Sequence, residues 1–141
     1  MKLLCAAALL SLSLTLPAGA EVIVATDPDF APVATELAQR LGAADFRVLA
    51  LQPAALERAE ADLILGPDTA LADRLIASGA ALAPGRVTYA MGRSGTEEAV
   101  NPRDGVLMQR AAENAAARDF LDFLLTPEAW DVIVAAGFGA H

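Results

Sequence analysis

The sequence predicts an α/β fold: a mostly parallel sheet in three layers, with helices covering both faces. Short apolar runs rich in β-branched residues alternate with segments of helical periodicity. The run over 61–66 is continuously apolar after its Asp, which is typical of a strand covered on both faces. The length of 141 residues suits one domain, and the 55% hydrophobic content can supply its core.

The first twenty residues precede this domain. Lys2 is followed by an apolar run over 3–16 and then by Pro17, Ala18, Gly19 and Ala20. This order is typical of a secretory signal peptide, and the run is shorter than the roughly 18 to 20 residues that cross a bilayer. We therefore expect residues 1–20 to be a signal peptide and residues 21–141 to form the exported domain, which does not insert into a membrane after cleavage.

The first half of the exported chain is predicted to alternate between strands and helices. In chain order, we expect a strand over 22–26, a helix ending at Leu41, a strand over 46–50, a short helix over 53–59, a strand over 61–66 and a helix over 68–78. Pro28 and its flanking acids break the first strand, and Gly42 and Gly79 are typical helix stops.

The second half contains one long polar segment. We expect a strand over 87–91, a loop over 92–105, a strand over 106–109, a helix over 113–125 and a final helix that ends at Gly137. The loop is predicted because its Gly, Ser, Glu, Asn, Pro and Arg residues show no apolar period. Thr126 and Pro127 form a typical N-cap and first residue for the final helix.

Charge and cysteine content exclude several functions. Without Lys2, nine Arg face 18 acidic residues, so the side-chain charge is −9, which opposes binding to nucleic acids or anionic membranes. Cys5 is the single cysteine, so the exported chain has no thiol for catalysis or thiolate metal ligation. The exported chain also has no internal His, nucleophile elbow or phosphate loop, and we predict that it is not an enzyme. His141, the last residue, is expected to be solvated.

Several segments resemble periplasmic molybdate-binding proteins of ABC importers. They are, in chain order, 22–24, 61–65 with 72–75, 84–93, and 120–129 with 137–139. The stretch FLDFLLTPEA is shared with other type II solute-binding proteins, whereas RVTYAMGR is typical of the molybdate branch. The resemblance implies a type II periplasmic-binding-protein fold and a periplasmic location. It also implies capture of a molybdate- or tungstate-type oxyanion for an importer permease, with no cofactor.

This chain departs from the family pattern in ways that weaken oxyanion binding. Family members have two lobes, but here only about a dozen polar residues follow 92–93 before the C-terminal helices, so we expect a single lobe. Asp29 stands where the family has a donor Ser, and Pro67 stands where the family donates a backbone N–H. The segment 49–56 is too short for the family's Ser-Gly loop. Tyr89 belongs to a strand motif and is not the family's ligand Tyr.

The candidate ligand-binding residues follow the predicted strands at the edge where open α/β sheets bind ligands. They are Thr26, Asp27, Asp29, Gly66, Asp68 and Arg93. The three carboxylates could instead hold a divalent metal cation. The sequence favours a third interpretation, in which Asp29 and Asp68 cap helix N-termini.

Three arginines flank the predicted loop. Arg86, Arg93 and Arg103 could replace the lost anion donors, although the acids in the same segment favour a solvated loop. Two other functions stay open beside oxyanion transport. One is a periplasmic partner-binding or homodimerisation module that binds no solute, and the other is an acidic protein that binds divalent cations through Asp27, Asp29 and Asp68.

Overall fold

A computed structural model describes residues 21–42 and 45–140. The predicted signal peptide over 1–20 and the terminal His141 lie outside the described residues. Within the described ranges, no helix is both long and apolar enough to cross a membrane.

Within residues 21–42 and 45–140, six strands form one sheet. They are β1 (Val22–Thr26), β2 (Phe46–Ala50), β3 (Leu63–Leu65), β4 (Ala81–Arg93), β5 (Pro102–Met108) and β6 (Phe138–Gly139). Their order across the sheet is β2-β1-β3-β5-β4-β6. β1 runs parallel to β2 and β3, whereas the β3–β5, β5–β4 and β4–β6 pairs are antiparallel.

The predicted α/β fold is confirmed, but the sheet is mixed rather than mostly parallel. The reason is the length of one connection. β4 and β5 are joined by residues 94–101 alone, and a parallel crossover needs a dozen or more residues. The two strands therefore form an antiparallel hairpin.

Five α-helices of the described part of the chain cover the sheet in two layers. They are α1 (Ala31–Leu41), α2 (Pro53–Leu56), α3 (Ala70–Ala77), α4 (Ala115–Phe123) and α5 (Pro127–Ala135). Residues of α1, α4 and α5 pack in one apolar cluster on one face of the sheet, and residues of α2 and α3 pack in a second cluster on the other face. The three-layer prediction is thus confirmed, with all described elements around one sheet.

Local signals explain where the helices begin and end. Gly42 adopts a left-handed φ of 60° and its N–H donates to the carbonyl of Ala38, which ends α1 as predicted. The Thr126 hydroxyl accepts the N–H of Ala129 at 3.3 Å, so the predicted N-cap of α5 is also confirmed.

Both ends of the predicted loop over 92–105 are strand, and residues 94–101 connect them. β4 continues to Arg93 and β5 starts at Pro102, with a 3₁₀ turn over Glu97–Val100 between them. The prediction was wrong at the two ends of the segment because it relied on apolar alternation, and the polar residues there pair through their backbones. Gly92 allows the turn to pack against the strand, because a Cβ there would lie 2.0 Å from the carbonyl oxygen of Glu98.

An aromatic cluster lies in the core below one edge of the sheet. Phe30, Tyr89 and Phe138 are buried, and the ring of Phe30 makes edge contacts with the rings of Tyr89 and Phe138 at centroid distances of 4.8 and 5.2 Å. Phe30 precedes α1, Tyr89 lies in β4 and Phe138 in β6. The cluster therefore joins three distant parts of the chain beneath the ends of β1 and β3.

Candidate functional site

A cleft of about 620 Å³ opens at the edge of the sheet where β1 and β3 end and β5 begins. Its lining residues come from the turns after β1 and β3, the start of α2, and the region where the 3₁₀ turn leads into β5. They are Asp27, Pro28, Asp29, Gln52, Pro53, Pro67, Asp68, Thr69, Glu98, Asn101, Pro102 and Arg103. Because β1 and β3 are parallel and β5 is antiparallel to β3, these three strand ends meet at one edge.

A buried ion pair lies beside this cleft. Nη2 of Arg103 donates to Oδ1 of Asp27, and the two residues are only 5% and 6% exposed. Nε of Arg103 donates to the Tyr89 hydroxyl at 3.0 Å, and that hydroxyl donates to the carbonyl oxygen of Gly66 at 2.7 Å. The hydrogen bonds thus connect β5 and β4 with the turns that follow β1 and β3.

Three aromatic rings also lie close to Arg103. Its Cζ lies 5.3, 5.7 and 5.1 Å from the ring centroids of Phe30, Tyr89 and Phe138. The faces of aromatic rings attract a cation, so they help to hold the guanidinium in the core. They carry no net charge, however, and Asp27 supplies the neutralising charge.

The environment also determines the protonation states of this network. Burial lowers the pKa of Arg103, but Tyr89 and the carboxylate of Asp27 outweigh that effect and raise the pKa above its ordinary value. Burial raises the pKa of Tyr89 well above its ordinary value of 10, although the charge of Arg103 opposes the increase. At neutral pH, Arg103 is therefore charged and Tyr89 is a neutral phenol.

Three exposed carboxylates line the mouth of the cleft. Asp29, Asp68 and Glu98 make no ion pair with any Lys or Arg of the described residues. Oδ1 of Asp68 accepts the N–H of Leu71 at 3.1 Å, so Asp68 caps the first turn of α3. The side chain of Asp29 does not cap α1, because the N–H groups of Phe30 and Ala31 donate to the backbone carbonyl of Asp27.

The structure places the predicted site residues in three positions: in the cleft, beneath it and away from it. Asp27, Asp29 and Asp68 line the cleft together, as the strand ends predicted. Thr26 and Gly66 are buried beneath it, with the Thr26 hydroxyl donating to the Leu65 carbonyl at 2.9 Å. The N–H of Gly66 donates to the carbonyl of Asp104, so it is not available to a ligand.

Arg93, which was predicted as a site residue, does not line the cleft. β4 pairs with β6 at the far edge of the sheet, so Arg93 lies with its Cζ 4.5 Å from the centroid of the Phe138 ring. Its Nη1 donates to the carbonyl of Ala136 at 3.3 Å.

The three arginines flanking the predicted loop do not form an anion cradle. Arg86 pairs with Asp73 at 2.6 Å and with Asp104 at 2.8 Å, while Arg103 pairs with Asp27. The burial of Arg103 was missed because it was assigned to a solvated loop. One signal was available: the predicted strand over 106–109 was short, and extending it backwards would have placed Arg103 inside the sheet.

The divalent-cation alternative concerns carboxylates that all lie within the described residues. Within them, no three His, Cys, Asp or Glu side chains are grouped so that they could hold a metal ion. Asp27, Asp29 and Asp68 share the cleft, but Asp27 is committed to Arg103 and Asp68 to the first turn of α3.

Comparison with known proteins identifies the fold. No protein-family model matches the chain, and no curated protein does. Solved structures do match. One is a substrate-binding domain assigned to a molybdenum ABC transporter of Clostridium difficile, with a TM-score of 0.75 and 7% identity over 86% of this chain and 99% of that chain. Another is the periplasmic molybdate-binding protein of Azotobacter vinelandii, with a TM-score of 0.71 and 14% identity over 85% of this chain and 99% of that chain.

The chain has the fold of these substrate-binding proteins. The predicted resemblance is thereby confirmed at the level of the fold. Identities of 7% and 14% mean that the matches concern the arrangement of the backbone. The choice of solute depends on the side chains of the cleft.

Proposed function

We propose that this protein is the periplasmic substrate-binding component of an ABC importer, and that it holds a small solute in the cleft at the ends of β1 and β3. The observation that carries the proposal is the position of the cleft, at the edge where open α/β sheets bind ligands. The matched structures are both described as binding proteins for molybdenum or molybdate, which supports a binding role rather than catalysis. The partner is then the importer permease.

The chemistry of the cleft opposes a tetrahedral dianion. Asp29, Asp68 and Glu98 place negative charge at its mouth, and like charges repel in a partly desolvated site. The first two residues after β3 also offer no free backbone donor, because the N–H of Gly66 is already used and Pro67 has none. We therefore propose that the wild-type protein binds molybdate and tungstate weakly and accepts a solute that is not a dianion.

A solute screen on protein purified from the periplasm tests this function. Thermal unfolding and calorimetry would be recorded with molybdate, tungstate, divalent cations and a panel of small neutral and cationic solutes. A bound solute stabilises the folded protein by RT ln(1 + [L]/Kd), so binding raises the unfolding midpoint. We expect a response to at least one neutral or cationic solute and a weak response to the two oxyanions.

A pair of matched variants tests whether the solute binds in the cleft. Gln52→Trp fills the cleft, whereas Gln39→Trp makes the same change at an exposed residue of α1 outside it. A solute that binds in the cleft should raise the unfolding midpoint of the wild type and of Gln39→Trp. It should not raise the midpoint of Gln52→Trp. The proposal fails if no solute binds, or if Gln52→Trp binds as well as the wild type. Absence of any solute response together with a concentration-dependent sedimentation mass would favour the dimerisation module.

A further inference from the structure

One neighbouring carboxylate compensates the positive charge of Arg103. Among the described residues, Asp27 is the single carboxylate within 4.0 Å of the guanidinium nitrogens of Arg103. Both residues line the cleft although both are more than nine-tenths buried. A desolvated charge needs a partner of opposite sign, so Asp27 supplies what solvent supplies to an exposed arginine.

The guanidinium group has hydrogen-bonding capacity beyond this contact. It carries five N–H donors. Nε donates to Tyr89 and Nη2 donates to Asp27, and the aromatic rings around the group accept no conventional hydrogen bond. The guanidinium N–H groups of Arg103 could therefore bind another anionic group if Asp27 did not occupy them.

We propose that Asp27 is the residue that sets the charge specificity of the cleft: its carboxylate acts as an internal anion on Arg103 and so excludes anionic solutes. This inference rests on the proposed function, because it takes the cleft as the solute site. An incoming oxyanion would have to displace Asp27 from Arg103 and then lie beside the displaced carboxylate. Both steps are unfavourable, so wild-type protein rejects the oxyanion.

Removing the charge of Asp27 would convert the same place into an anion site. In Asp27→Asn the amide keeps the size of the side chain but no longer neutralises Arg103. The guanidinium is then an uncompensated cation beside the cleft, and its planar fork suits the paired oxygens of an oxyanion. The neighbouring aromatic rings would keep it in position.

Asp29 offers a matched control two residues away. It lines the same cleft, but it is exposed and makes no ion pair with Arg103. Its effect on an incoming anion is a longer-range repulsion that salt screens. Asp29→Asn therefore removes the same charge from the cleft without releasing the guanidinium.

The test measures binding of molybdate and sulfate to the wild type, Asp27→Asn, Asp29→Asn and Asp27→Asn/Arg103→Met by calorimetry, with chloride keeping the ionic strength constant. We expect Asp27→Asn to bind molybdate at least about tenfold more tightly than the wild type and Asp29→Asn. The double variant should lose this gain. Equal gains at positions 27 and 29, or a gain that survives loss of Arg103, would overturn the inference.

Refolding keeps the test decisive if Asp27→Asn is unfolded in dilute buffer. The variant would be diluted from urea into molybdate or into chloride of equal ionic strength. Recovery of native circular dichroism in molybdate alone supports the inference, because the bound anion replaces the missing carboxylate. Equal recovery in both salts, or recovery in neither, contradicts it.

The outcome is separable from that of the proposed function. A wild-type protein that binds no solute of the screen refutes the importer role, yet the molybdate response of Asp27→Asn relative to Asp29→Asn still measures the role of Asp27. Conversely, wild-type protein that binds molybdate as tightly as Asp27→Asn overturns the inference while supporting solute binding in the cleft.

Discussion

The two ends of β5 carry the same pair of residue types in different surroundings. At the cleft end, Arg103 pairs with Asp27, and their side chains are 6% and 9% exposed. At the other end, Arg110 follows β5 and pairs with Asp62, which precedes β3, over 3.1 Å between Nε and Oδ1. Here the side chain of Arg110 is 46% exposed and that of Asp62 is 11% exposed.

The comparison shows that solvent access to the cation decides what each pair does. Water solvates Arg110 with or without its carboxylate, so Asp62 serves mainly the backbone, accepting the N–H of Ile23 at 2.7 Å. Arg103 has no such alternative, so Asp27 is needed to neutralise it. The desolvated ion pair therefore lies at the end of the sheet where the cleft opens. The solvated ion pair lies at the opposite end, where Asp62 also accepts the N–H of Ile23.

The largest difference is expected when the buried pair is broken. Asp27→Asn should lower the free energy of unfolding by about 3 to 5 kcal/mol, because it leaves a buried cation without a counter-charge. Urea unfolding at pH 7 in chloride measures this loss. Adding Arg103→Met should restore part of the stability, since the unpaired charge is then gone. A loss below about 1 kcal/mol for the single variant would mean that Arg103 is solvated in solution.

A smaller loss is expected at the opposite end of β5. Asp62→Ala should lower the free energy of unfolding by about 1 to 3 kcal/mol, because the N–H of Ile23 loses its acceptor. The same urea series measures it. Asp62→Asn is the control, because the amide oxygen can still accept that N–H, so this variant should lose less. If both variants lose equally, the charge of Asp62 rather than its backbone contact is what stabilises this end.

The exposed cation should contribute least. Arg110→Ala should change the free energy of unfolding by less than about 1 kcal/mol, since a half-exposed ion pair is screened by water and ions. Repeating the measurement in 1 M salt should reduce the effect further. A loss comparable to that of Asp27→Asn would remove the distinction between the two ends.

Tyr89 offers a test that leaves the protein unchanged at neutral pH. Its folded-state pKa is raised, so the folded chain holds the phenol proton more tightly than the unfolded chain. This contribution to stability is fully present below the unfolded pKa of about 10 and is lost as pH rises above it.

Because Tyr89 is the single tyrosine, its phenolate absorbance can be followed without overlap from other tyrosines. The urea-unfolded chain should be half ionised near pH 10, while the native chain at that pH should show no phenolate. Ionisation near pH 10 with native circular dichroism intact would show that the hydroxyl reaches water and that the network beneath the cleft is open.

Much of the fold could be predicted from the sequence because its signals are local. The strand β1 was predicted with the bounds that the structure has, and Gly42 and Thr126 marked helix ends correctly. The full extent of β4 and β5 could not be predicted from alternation, because both strands contain polar stretches that pair through backbone hydrogen bonds, and the short connection that makes them antiparallel was therefore missed. The same oversight assigned Arg103 to a loop.

The sequence by itself determined the α/β class, the helix ends and the group of carboxylates that follow β1 and β3, because periodicity, capping and strand-end position depend on near neighbours along the chain. Only the tertiary structure decided which of those carboxylates pairs with an arginine and which faces the cleft without one. Asp27 and Arg103 are 76 positions apart. They pair because both are buried beside the rings of Phe30, Tyr89 and Phe138. Burial depends on how the whole chain packs, so it cannot be read from near neighbours in the sequence.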